Sequence, residues 1–170
     1  VWMQEGGISP DGISRCLLID GQQRLTSVTL LLIALTEYAR EHPENRRFSA
    51  DMIIDRGYIV DKYVAGEGRY KLTLSGDDRD ALQRLCDHAV DPSRPNQEEA
   101  GSKLETNLDL FRSLVAAIDD VNVVWNGLQR LEVVSVTLDQ GRDEPQLVFE
   151  SMNSTGLDLE TSDLVRNYML

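Results

Sequence analysis

The change of hydrophobic rhythm at Asp20-Gly21 constrains this chain more than any other feature. Before it, Arg15 to Ile19 is a short apolar run of strand length. After it, Leu25, Val28, Leu32, Leu35 and Ala39 recur at helical spacing, and Leu31, Ile33 and Tyr38 widen the stripe. A strand must therefore hand over to a long, mostly buried helix within one tight turn. Such a handover calls for sheet and helix around a shared core. Pro43 cannot continue the helix, and His42 sits where a helix C-terminus favours positive charge.

The remaining pattern is mixed. Val1 to Gln4 reads as a strand joined to 15–19 by a hairpin loop, Glu5 to Ser14, and Glu44 to Ser49 reads as a polar loop. Tyr58 to Val64 and Arg69 to Leu74 read as two short strands around Gly66-Glu67-Gly68. Ser75 or Asp77 caps a helix from Asp78 to His88. Asp91 to Gly101 is a polar connector and the best internal boundary in what otherwise reads as a single domain over residues 1–170. Lys103 to Ile118 is an amphipathic helix through Leu104, Leu108, Phe111, Leu114 and Ile118. Val121 to Leu131 extends it or forms a further short helix. Glu132 to Asp139 reads as a strand with Val134, Val136 and Leu138 on one face. Pro145 suits the first turn of a helix carrying Leu147, Phe149 and Met152, and Glu160 or Thr161 opens a last helix. The expected class is α+β. The chain does not begin with Met and both ends fall inside apparent regular structure, so it reads as a piece of a longer protein.

Composition narrows the function classes. With 170 residues the chain can bury a core, and a 41% apolar share argues against wholesale disorder. A net charge of −12 disfavours gripping DNA by counterion release alone, although a local basic cleft remains compatible with it. Cys16, Cys86, His42 and His88 lack the spacing of a zinc site. Both cysteines sit in apolar contexts and read as buried free thiols of a reducing cytoplasm. No signal peptide is visible, and the run from Val28 to Leu35 is too short to cross a bilayer.

The chemistry concentrates where strand meets helix. The first amides of a helix have no internal partner and carry partial positive charge, so they attract anions, phosphate above all. Gly21 permits close approach to the backbone. Gln22 and Gln23 add neutral donors, Arg24 adds a planar fork for two phosphate oxygens, and Thr26 follows in the same turn. Asp20 either caps the helix or holds a magnesium ion beside a phosphate. The plain alternative, a capped turn with solvated glutamines and a paired arginine, stands about level with this reading. No Walker A loop is present.

A second polar group lies near the C-terminal end. Asp163, Arg166 and Asn167 share a face at i, i+3 and i+4. Glu150 and Asn153 share another if the preceding helix reaches them. The five either converge on one site or staple a helix-loop-helix, with Gly156 at positive φ after the helix.

Ile19-Asp20-Gly21-Gln22-Gln23-Arg24-Leu25-Thr26, together with Val148-Phe149-Glu150-Ser151-Met152-Asn153-Ser154-Thr155-Gly156-Leu157-Asp158-Leu159 and Asp163-Leu164-Val165-Arg166-Asn167-Tyr168, resembles the amino-terminal domain of GmrS-type restriction proteins. The resemblance covers most of the chain, more loosely between Glu44 and Leu131. It implies a ParB/sulfiredoxin-like fold and a place in bacterial defence against foreign, often modified, DNA. It implies binding and hydrolysis of a nucleoside triphosphate with magnesium, licensing cleavage by a separate HNH-type nuclease domain or subunit. The alternative is a non-catalytic module that binds or senses DNA. By motif match, Asp20, Gly21, Gln22, Gln23, Arg24 and Thr26 form the nucleotide site, with Asp20, Gln23 and Arg24 catalytic. Glu150, Asn153, Asp163, Arg166 and Asn167 support it. The chain departs from the family in lacking an upstream Gln-Arg pair and a Tyr-x-Trp pattern, and in carrying Glu160 where Ser or Thr is usual. It has no HNH-like set of histidines.

Overall fold

The computed structural model describes residues 2–4, 15–45, 47–94, 102–138, 143–144 and 147–148. Its elements run β1 (Trp2–Gln4), β2 (Cys16–Leu18), α1 (Gln22–Glu41), α2 (Ala50–Asp55), a 3-10 turn (Gly66–Arg69), α3 (Asp78–Val90), α4 (Lys103–Ala117), α5 (Asn122–Leu128) and β3 (Thr137–Leu138). This is the mixed α+β class expected from the pattern. Two compact units divide the chain: Val1–Gln22 with Val133–Leu170, and Gln23–Glu132. The polar connector 91–101 falls within the span of the second.

The first unit holds a small sheet in the order β2-β1-β3. Trp2 and Met3 of β1 face Leu18 and Leu17 of β2 in an antiparallel pair, and Thr137 and Leu138 of β3 in a parallel one. Trp2 is tied twice to the strand leading into β3: its backbone N–H donates to the Val136 carbonyl at 3.0 Å, and its indole Nε1 to Ser135 Oγ at 2.6 Å. The expected strand over Glu132 to Asp139 is correct in kind but too long. Val133 and Val134 are 81% and 86% exposed, and only Leu138 is buried. Alternation of apolar residues makes a strand only where a neighbour supplies a ladder.

The second unit is helical, and α1 supplies its centre. The buried residues of α1 are Leu30, Ile33, Ala34, Leu35, Thr36 and Ala39. The stripe read from sequence is right at Leu35 and Ala39 and wrong at its start, since Leu25 is 43% exposed. Burial begins two turns into the helix. Thr36 tolerates complete burial because its hydroxyl donates to the Leu32 carbonyl at 2.7 Å.

Helix α2 was not expected, and local chemistry explains it. Ser49 Oγ accepts from Met52 N–H at 3.1 Å as an N-cap. At the other end Gly57 adopts φ +67°. Its N–H donates to the Ile54 carbonyl at 2.9 Å, while Tyr58 N–H donates to Ile53 at 3.4 Å. That double bond pattern is a Schellman stop. Phe48, in the supposed polar loop, is instead core. It stacks on Trp125 of α5 at 5.3 Å between ring centroids, and Tyr58 meets the same indole edge-on at 6.2 Å. The two strands expected around Gly66-Glu67-Gly68 reduce to a single antiparallel bridge, Val60 to Tyr70, around the 3-10 turn.

In α3, Ala81, Leu82, Leu85, Cys86 and Ala89 are buried, and in α4 Leu104, Leu108 and Val115. Leu114 and Ile118, expected on that inner face, are exposed. Asp77 precedes α3 without a side-chain capping bond, so neither proposed cap of that helix is a strong one. Two arginines lock helices to α1. Arg112 of α4 donates from Nε and Nη2 to both carboxylate oxygens of Glu37, each at 2.7 Å, and from Nη1 to Asp109 at 2.7 Å. These carboxylates raise its pKa above the ordinary value. Arg40 donates to the Ala89 and Val90 carbonyls, placing a cation at the C-terminus of α3. Burial lowers its pKa despite Glu37, Asp51 and Asp91 nearby.

The expectation of two buried thiols holds for Cys86 and fails for Cys16, which is exposed; both are free. Burial pushes the Cys86 thiol up to about 12. An alkylating reagent used near pH 9.0 should label Cys16 in the native chain and both cysteines in urea, as read by mass spectrometry. The unfolded thiol ionises near 9.0 and the folded one near 12, so stability should decline as pH rises between those values. Trp125→Ala should cost about 3–5 kcal/mol in a urea titration followed by circular dichroism, because it empties the aromatic cluster.

Candidate functional site

The segment leaving β2 reaches α1 through two residues of contrasting kind. Ile19 and Asp20 are partly buried, and Gly21 takes φ +100°, a conformation that L side chains rarely adopt. Helix α1 begins at Gln22, so Gly21 occupies the capping position and Asp20 lies one residue before it. Gly21 offers no side chain to the first amides, and the first turn carries no acidic residue. The positive end of a 20-residue helix is thus left without a carboxylate in its first turn.

Gln22, Gln23 and Arg24 are exposed, and Thr26 is partly buried. Gln22 turns back, its Nε2 donating to the Leu18 carbonyl at 2.9 Å, so this glutamine also fastens the helix start to the strand end. Ser27 and Thr29 donate to the carbonyls of Gln23 and Leu25, each at 2.9 Å, so their hydroxyls bond along the helix itself. Asp20, Gln22, Arg24 and Thr26 each engage other groups of the protein. The arrangement keeps a guanidinium and a carboxamide on an exposed helix turn next to a backbone position that only glycine suits.

The motif residues Asp20, Gly21, Gln22, Gln23, Arg24 and Thr26 are therefore brought together by one turn of chain. Glu150, Asn153, Asp163, Arg166 and Asn167 lie outside the described residues, as does the turn at Gly156. No group of three or more His, Cys, Asp or Glu able to hold a metal occurs among the described residues. Asp20 is a single carboxylate. An ion held there would draw its other ligands from water and phosphate oxygen, which is the habit of Mg²⁺.

A cavity of about 490 Å³ in the second unit is lined by Glu37, Tyr38, Arg40, His88 and Arg112 among others. None of Asp20 to Arg24 lines it. Sequence reading passed over it. Its two arginines are committed, Arg112 to Glu37 and Asp109 and Arg40 to the end of α3, so its polar lining serves to join helices. The positive φ at Gly21 was also missed, though Asp-Gly at the end of a strand is a turn signal that could have suggested it.

The family described as GmrSD restriction endonuclease, N-terminal domain, matches residues 3–170. The chain belongs to that family, and a role in restriction, the defence against foreign DNA, comes with membership. No curated protein and no solved structure matches it. Among the described residues no helix is long and apolar enough to cross a membrane.

Gly21→Ala forces a Cβ into φ +100° and should destabilise the protein by about 1–2 kcal/mol. Thermal unfolding checks the cost. A change near zero would mean that the handover from β2 to α1 relaxes readily.

Proposed function

We propose that this chain is the nucleotide-binding and nucleotide-hydrolysing module of its restriction system, and that the state of its nucleotide licenses DNA cleavage by a separate nuclease domain or subunit. The observation that carries the reading is the start of α1: Gly21 at φ +100°, no acid in the first turn, and Gln22, Gln23 and Arg24 exposed on it. A triphosphate places its charge against backbone amides at such an end. Arg24 clamps two of its oxygens and stabilises charge that builds during transfer to water. Gln23 holds the attacking water in line. Asp20 is the residue suited to a magnesium ion, which when bound would neutralise phosphate charge. Gln22 contributes less to binding than its position alone implies, because Leu18 already claims its amide. Glu150, Asn153, Asp163, Arg166 and Asn167 complete the site in this reading. DNA and the nuclease are partners of the whole protein, in keeping with the restriction family.

The test is hydrolysis of each common nucleoside triphosphate, with magnesium, by the full-length protein. Arg24→Ala and Asp20→Ala should each lower turnover by roughly 10²-fold or more. Nucleotide at about 100 times its Kd should stabilise the unsubstituted protein by about 2.7 kcal/mol in a thermal melt. Turnover unchanged in both variants would remove the hydrolytic reading. Binding to DNA that weakens steeply with salt through Arg24, without hydrolysis, would favour the DNA-sensing alternative.

A further inference from the structure

Helix α4 has two apolar faces. Leu104, Leu108 and Val115 enter the core. Leu110, Leu114 and Ile118, spaced by four, form a second stripe that is 56%, 51% and 38% exposed. The residues beside that stripe, Thr106, Asn107, Ser113 and Ala117, are exposed and uncharged. In a chain of net charge −12 this is an outer helix face without an acidic residue. Its ends are charged with opposite sign. Lys103 opens the helix on the same face, and Asp119 and Asp120 follow its C-cap; all three are exposed. Neither Lys103 nor Asp119 makes an ion pair with a described residue.

We propose that this face pairs with the same face of a second copy of the chain, antiparallel about a two-fold axis. Centring the axis between Leu110 and Leu114 sets each leucine against the other leucine of the second copy, and sets Thr106 against its Ile118. Lys103 then lies beside Asp119 and Asp120 of the second copy at both ends of a helix about 22 Å long. The charge complementarity selects the second copy, antiparallel, as the occupant. Two chains this acidic repel across other surfaces, and the uncharged stripe is where they can close. A single helix pair is small beside stable interfaces, which bury roughly 1,200–2,000 Å² in total, so association depends on concentration.

Sedimentation equilibrium of the full-length protein from about 1 to 100 µM tests this, a range set by the weak association expected of a small interface. The expected result is a monomer–dimer equilibrium. Leu110→Glu with Leu114→Glu abolishes it while leaving the helical circular dichroism unchanged. Lys103→Glu weakens it by about 10-fold or more, and Lys103→Glu combined with Asp119→Lys restores it. A protein that stays monomeric throughout overturns the proposal and leaves the face to a different partner. A dimer that survives the paired glutamate substitutions, or a charge swap without recovery, overturns it as well.

Discussion

The dry half of α1 is the constraint on which the second unit depends. Between Leu30 and Ala39 the helix presents buried residues on most of its circumference, so helices have to be laid around it. Leu30, Ile33 and Leu35 are essentially without solvent exposure, and burial of each such side chain is worth about 1.5–3 kcal/mol. Polar ties come from the same stretch. Glu37 receives Arg112, and Arg40 reaches the end of α3, so helices that pack on α1 are also held in rotation about it. Directional bonds of this kind set geometry more than they add stability. With its second half committed, the first half of α1 is fixed in direction while its side chains stay wet. That combination is what a binding turn requires: a rigid base under exposed donors.

Much of the fold was legible because its signals are local. The long α1, the helices α3 and α4, and the strands at β1 and β2 follow from period and from punctuation by glycine and proline. Readings failed where partners decide. Leu25 and Leu114 are as apolar as Leu35 and Leu108, yet only the latter two meet other helices. Val133 and Val134 have strand propensity without a strand beside them. Phe48 sits among polar residues and is buried all the same, because Trp125, 77 positions later, provides the surface it stacks on. Helix α2 is a different kind of miss. Ser49 and Gly57 bracket it with proper start and stop signals, but six residues carry too little periodicity to stand out.

The candidate site was legible in the same uneven way. A strand end, an Asp-Gly pair and a helix carrying Gln-Gln-Arg in its first turn could be placed from sequence, and the structure sets those residues on one turn of chain. The backbone angle at Gly21 and the return of Gln22 to Leu18 could not, since both depend on how the strand end is directed. Membership of the GmrSD restriction endonuclease N-terminal family agrees with the motif-based resemblance and gives the turn its biological setting.

The two tryptophans of the chain fall one to each compact unit. Trp2 lies in the small sheet with its indole N–H on a serine hydroxyl, while Trp125 is nearly sealed among aromatic rings. Their emission spectra should therefore differ in colour, the partly wet indole glowing redder than the enclosed one. The molecule carries a built-in optical label for each of its parts. Replacing either indole with phenylalanine would let fluorescence follow the sheet and the helical body separately, without attaching a dye.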